Sequence, residues 1–146
     1  MHRPNDMKSV VYISSAVNFM AEDDLSQILK ISRVNNTQQN LTGLLLFSEG
    51  TFMQFLEGED DNVDQTFEKI ERDPRHRDLF KIMDGPIAQR NFTEWSMAFT
   101  TLNAQEMEHV KGFINSTDAI TSLTDNHKNI TLIKAFLKTN NLILSI

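Results

Sequence analysis

A ferredoxin-like α+β sandwich, with a mixed five-stranded sheet and two helices on one of its faces, is the fold that this sequence predicts. Three observations carry the prediction. Apolar periodicity switches between strand and helix repeats in the order strand, helix, strand, strand, helix, strand, strand. Two of those strands flank a short turn containing glycine, Ser48-Glu49-Gly50. The chain's 146 residues fit one compact domain with a tail and leave no room for two of ordinary size.

The first element, Lys8 to Ser14, is short and rich in β-branched residues, so it reads as a strand with Val10, Tyr12 and Ser14 on one face and Val11 and Ile13 on the other. From Ala21 to Asn36 the residues Leu25, Ile28 and Leu29 recur at helical spacing. Glu22, Asp23 and Asp24 precede them and suit the positive end of a helix dipole. Leu41 to Phe47 and Thr51 to Leu56 form the hairpin. A second helix opens at Asp60 and Asp61, turns Val63, Phe67 and Ile70 inward, and stops before Pro74, because proline disfavours helical geometry in its predecessor. Two further strands are expected at about Phe80 to Met83 and Trp95 to Thr100. Beyond Leu102, the spacing of Met107, Val110 and Phe113 or Ile114 predicts a helix. A second lies at Ile130 to Leu137, with a polar stretch, Asn115 to Lys128, before it. These C-terminal helices are expected to cover the other sheet face.

An apolar fraction of 40% and a charged fraction of 23% are those of a globular chain with a real core. With 14 basic against 20 acidic side chains the formal net charge is −6, so no general field attracts phosphate backbones or anionic lipid. Neither nucleic acid nor a membrane is an expected partner. No apolar stretch approaches the roughly 20 residues of a spanning helix, and Met1 to Lys8 lack the apolar core of a signal peptide, so a cytoplasmic location is expected. The absence of cysteine removes disulfides, thiolate metal sites and cysteine nucleophiles. There is no glycine-rich phosphate loop and no pair of histidines at metal spacing.

Polar residues fall where the pattern places a core. The inward stripe of the first helix continues through Ser32, Asn35 and Asn36. Burying an amide without a partner costs roughly 2–7 kcal/mol. Two inward asparagines therefore either meet the polar groups of a bound molecule or simply end the helix, as asparagine readily does. The strand Thr51 to Leu56 sets Gln54 between Phe52 and Leu56 on one face, and Tyr12 offers a phenol from another strand. An amide and a phenol aimed into one cavity can share a hydrogen-bond chain, or form a self-satisfied polar pair in the core. Lys69, Arg72, Arg75, His76 and Arg77 cluster near the end of the second helix, where they either hold a phosphate or complement the helix dipole. Trp95 and Met97 share a strand face with Phe99, a pattern that also fits plain core.

The runs Val11-Tyr12-Ile13-Ser14-Ser15-Ala16, Ser32-Arg33-Val34-Asn35-Asn36 and Leu41-Thr42-Gly43-Leu44-Leu45-Leu46-Phe47 follow one another in order. They continue through Gly50-Thr51-Phe52-Met53-Gln54-Phe55-Leu56-Glu57-Gly58, Asp73-Pro74-Arg75-His76 and Arg90-Asn91-Phe92-Thr93-Glu94-Trp95-Ser96-Met97. In these residues and their spacing, residues 8–101 resemble the BLUF family of flavin-dependent blue-light sensors. The resemblance implies a noncovalently bound FAD, a sensor and not an enzyme. Tyr12 is implied as the redox-active phenol and Gln54 as the amide that links it to the flavin ring. Asn35 and Asn36 are implied as partners of the ring's polar edge, with Ser32 and Ile28 nearby. Asp73, Arg75 and His76 match positions along the ring or its ribityl and phosphate side, and Trp95 and Met97 match the pair that moves or transmits strain. Transfer of an electron and a proton from Tyr12 under blue light is implied to leave Gln54 with different hydrogen bonds. On this reading residues 1–101 are the photosensor domain. Residues 102–146 are a helical extension that carries the signal to a downstream regulatory protein, and a homo-oligomer is expected. The competing expectation is a small phosphatase resembling acylphosphatase, without flavin, using Asn36 and the basic cluster on a phosphate.

Overall fold

The computed structural model describes residues 6–93, 96–115 and 133. Among them the chain forms β1 (Met7–Ala16), α1 (Glu22–Gln38), β2 (Thr42–Ser48), β3 (Thr51–Glu59), α2 (Asp60–Glu71), β4 (His76–Ile87), β5 (Ala98–Thr101) and α3 (Ala104–Asn115). The strands make one sheet in the order β4-β1-β3-β2-β5. β1 runs antiparallel to both β3 and β4, β2 antiparallel to β3, and β5 parallel to β2. This is the expected ferredoxin-like arrangement, with β5 added at the β2 edge.

Alternation along the central strands divides the core into two layers. Val10, Tyr12, Leu45, Phe47, Phe52 and Leu56 lie in one cluster with Leu25 of α1 and Val63 and Phe67 of α2, so both helices cover that face. Val11, Leu44, Leu46, Met53 and Phe55 lie in the other, with Met107 and Val110 of α3. Because both faces are covered, β2 and β3 are buried almost throughout. α3 opens on a reciprocal box: the Asn103 side chain accepts from the Glu106 N–H at 2.7 Å and the Glu106 carboxylate accepts from the Asn103 N–H at 2.9 Å. The β2–β3 turn holds Glu49 at φ 47° and Gly50 at φ 85°. Two successive positive φ values match the right-handed twist of the flanking strands.

Two strands differ from the sequence expectation. β4 spans His76–Ile87 and not merely Phe80 to Met83. It is an edge strand, carries Arg77, Asp78, Lys81 and Asp84, and shifts register against β1 between Val11 and Tyr12 and again between Ile13 and Ser15, so its period is broken. β5 begins at Ala98, later than the expected Trp95, because the carbonyls of Ser96 and Met97 accept hydrogen bonds from α1 side chains. The expected helix Ile130 to Leu137 and the polar stretch before it lie outside the described residues, apart from Asn115, which ends α3, and Ile133, which is buried in the second cluster.

Candidate functional site

A cleft of about 960 Å³, counting its solvent-filled mouth, opens between α1 and α2 above β1, β2 and β3. Its floor comes from strand alternation. Tyr12 on β1 and Gln54 on β3 are directly opposite in the antiparallel register, with Leu45 of β2 opposite Gln54 on the far side. The buried Tyr12 hydroxyl donates to Gln54 Oε1 at 2.5 Å, and Gln54 Nε2 donates to the Met97 sulfur at 3.6 Å. Burial, seconded by the charge of Asp73, pushes the Tyr12 phenol well above its ordinary pKa, so it stays a proton donor. Gln54 thereby has its acceptor committed to the phenol and its donor to a thioether, a weak acceptor that exchanges readily.

The α1 wall follows helical spacing: Ile28, Ser32, Asn35 and Asn36 all line the cleft. The helix runs on to Gln38, past both asparagines, so neither ends it. Asn36 is 2% exposed and donates from Nδ2 to the Ser96 carbonyl at 3.1 Å. Asn35, expected inward with it, is exposed at the cleft rim, because adjacent helical residues point roughly 100° apart.

The opposite wall comes from α2 and the turn into β4. Asp73 and Arg75 line it and are bound to each other: the Arg75 guanidinium forks onto the Asp73 carboxylate, and the Arg75 N–H also donates to Asp73 at 2.9 Å. That hydrogen bond holds the Asp73 carboxyl below its usual range and raises Arg75. His76 Nε2 lies 2.5 Å from the Ile70 carbonyl and Nδ1 lies 2.8 Å from the Ser14 hydroxyl. A carbonyl only accepts, so Nε2 carries a proton and donates to Ile70, while Nδ1 shares a hydrogen bond with the Ser14 hydroxyl. The basic cluster divides: Lys69, Arg75 and His76 line the cleft, whereas exposed Arg77 lies 3.7 Å from Asp78.

Tyr12, Ile28, Ser32, Asn35, Asn36, Gln54, Asp73, Arg75 and His76 thus surround one cavity, and Met97 touches Gln54 from beside it. Trp95 lies outside the described residues. Sequence reasoning passed over Thr66 and read Ile70 only as an inward core residue; both line the cleft, two turns and one turn before Asp73. Their spacing with Lys69 was the available signal. It also gave no role to Arg33, whose Nε donates to the Met97 carbonyl at 3.1 Å. The phosphatase expectation needs Asn36 and Arg75 on an anion, but Asn36 faces Ser96 and Arg75 faces Asp73.

Residues 7–98 match the family of sensors of blue-light using FAD. The chain is 36% identical over 96 residues to a photoactivated adenylate cyclase subunit beta of Euglena gracilis, a match covering 65% of this chain and 11% of that one. It is 29% identical over 86 residues to the blue light- and temperature-regulated antirepressor BluF of Escherichia coli (strain K12), covering 59% of this chain and 21% of that one. Among solved structures it is similar to BlrB, a BLUF protein in its dark state. The TM-score there is 0.68 at 27% identity, over 89% of this chain and 98% of that one. A bacterial light-regulated adenylyl cyclase matches with a TM-score of 0.63 at 31% identity, over 92% of this chain and 35% of that one.

Proposed function

The chain belongs to the family of sensors of blue-light using FAD, and from that premise we propose that it is a blue-light photoreceptor whose flavin, FAD, is held noncovalently in the cleft between α1 and α2. One observation carries the reading above the rest: the buried Tyr12–Gln54 hydrogen bond at the cleft floor, with the free side of both residues facing the cavity. The walls fit a flavin. Ile28, Leu45 and Phe52 offer apolar surface to a planar ring, Ser32, Asn35 and Asn36 offer hydrogen-bond groups to a polar edge, and Lys69 offers a cation to an anionic tail.

When bound, the flavin supplies absorption of blue light and an excited state that is a strong oxidant. Tyr12, protonated and hydrogen-bonded, would be the donor of the electron that the excited flavin takes up, with Gln54 Oε1 placed to receive its proton and both returning to Tyr12 afterwards. Gln54 then keeps a different hydrogen-bond arrangement, by rotamer or tautomer, when the charge returns to Tyr12. Met97, holding the Gln54 amide by a weak bond, can release it. No substrate is turned over: the altered network is the output. Residues 102–146 are proposed as the extension that passes it to a downstream regulatory protein or to a second copy of the chain. The chain spans 11% of the length of the cyclase subunit and 21% of that of the antirepressor it matches.

Absorption spectroscopy of the purified protein tests the reading. A yellow protein is expected, whose band shifts modestly to longer wavelength under blue light and returns in darkness. Denaturation should release intact FAD, identified by mass. Tyr12→Phe and Gln54→Leu should each keep the flavin and lose the shift. A colourless protein that also fails to take up added FAD would sink the proposal.

A further inference from the structure

A buried carboxylate lies outside the cleft. Glu57 is 1% exposed and stands on β3 three residues after Gln54, which puts it on the opposite face of the same strand. Its Oε1 accepts the Asn91 N–H at 2.7 Å, and its Oε2 accepts the Phe92 N–H at 2.7 Å and the Thr42 hydroxyl at 2.6 Å. Arg90 adds donations to the Asn40 carbonyl at 2.8 Å and to Thr42 Oγ1 at 3.0 Å, and the Phe92 ring packs edge-on against Phe55. Five residues further on, the chain is on the other side of the sheet. Met97 is fully buried beside Gln54, and the carbonyls of Ser96 and Met97 accept from Asn36 and Arg33 of α1, each at 3.1 Å.

Burying a carboxylate for packing alone is unfavourable, since an apolar side chain of similar size would fill the space without desolvating a charge. Three donors on two oxygens offset that cost, and in doing so they tie down the groups that donate. What they hold is the main chain at Asn91 and Phe92, on the segment that returns to deliver Met97 to Gln54. We propose that Glu57 and Arg33 are positioning residues for the light reaction: one fixes the chain before Met97 and the other at Met97, and together they keep the Met97 sulfur where the Gln54 amide can donate to it. The inference rests on the photoreceptor reading. A donation to sulfur at 3.6 Å is weak and depends on where the sulfur sits, so slack at either hold weakens the dark arrangement of Gln54 and delays its recovery.

Glu57→Gln is nearly isosteric but turns one oxygen into an NH₂ that faces a backbone N–H, donor against donor. Arg33→Met keeps the stem and removes the donor to the Met97 carbonyl. In the flavin-loaded protein both variants should keep the light-induced shift and slow its dark decay by about threefold to tenfold, the equivalent of losing one ordinary hydrogen bond. Glu57→Asp should lie between wild type and Glu57→Gln, and Lys8→Met, which removes only a surface ion pair to Asp64 and Asp84, should decay as wild type. Dark-state amide exchange at Asn91 and Phe92 should be slow in wild type and at least about tenfold faster in Glu57→Gln. Wild-type protection of those two amides in Glu57→Gln overturns its anchoring role. A wild type that shifts, beside Glu57→Gln and Arg33→Met variants with unchanged decay, overturns the inference alone; a flavin-loaded wild type with no light-induced shift overturns the photoreceptor reading and the inference with it.

Discussion

Tyr12 shows how burial and a single partner set the chemistry of one residue. Its ring meets Phe67 edge-on at 5.7 Å between centroids and His76 at 6.2 Å, and its hydroxyl donates to Gln54. Burial first, and the Asp73 charge second, raise its pKa above the ordinary 10.0. A group whose folded pKa is raised contributes stability that is present below the unfolded pKa and is lost as pH rises toward the folded one. The unfolded phenol ionises near pH 10.0 while the folded one does not. Stability of the wild type relative to Tyr12→Phe should therefore fall above about pH 10, by up to roughly 1.4 kcal/mol per pH unit. Urea unfolding of both proteins at several alkaline pH values measures this. Parallel alkaline slopes would show that the folded phenol titrates like an unfolded one.

At the scale of elements, the site depends on how closely β2 approaches β3. Gly43 of β2 has no side chain, and a Cβ built there would lie 1.9 Å from the Phe55 carbonyl oxygen and 3.2 Å from the Met97 methyl group. Neither backbone can yield without breaking the ladder that sets Gln54 opposite Leu45. Gly43→Ala should cost more than the ~1–3 kcal/mol of ordinary overpacking and should also disturb Met97. Thermal or urea unfolding reads the first effect and the flavin absorption band the second. A variant within about 0.5 kcal/mol of wild type would mean that the two strands separate easily. α1 is the other critical element, since it both lines the cleft and, through Arg33 and Asn36, holds the chain at Ser96 and Met97.

Across the whole molecule, the two sheet faces divide the work. One carries the cleft, and the other is sealed in part by α3, whose Met107 and Val110 are buried against Phe55, Phe92 and Ala98. β5 links the two: Phe99 packs on the cleft side, Ala98 on the α3 side, and Leu102 leads into the Asn103–Glu106 box that starts α3. A change at Met97 therefore has a short covalent path to α3. Hydrogen exchange compared in darkness and under blue light should show altered protection in α3 as well as around the cleft. The size of the change should correspond to a coupling of about 1–3 kcal/mol. Protection that changes only around Tyr12, Gln54 and α1 would make α3 a static cover.

The central strands and both first helices were legible in the sequence because short-range rules set them. Apolar runs in Lys8 to Ser14 and Thr51 to Leu56 reflect strands covered on both faces, and positive φ at Glu49 and Gly50 is a local demand of the turn. Side-chain alternation assigns Tyr12 and Gln54 each to one face of its own strand, and the β1–β3 register, between residues 42 apart, sets them opposite each other. The rest was decided by contacts between residues far apart in the chain. Helix phase against the sheet separates Asn36, buried 60 residues from its partner Ser96, from its exposed neighbour Asn35. Capture of the Ser96 and Met97 carbonyls by α1 delays the start of β5, and the edge position of β4 blurs its pattern. Glu57 reads in sequence as an ordinary polar strand end. Only the return of Asn91 and Phe92, 34 and 35 residues later, supplies the donors that let a carboxylate stay buried there.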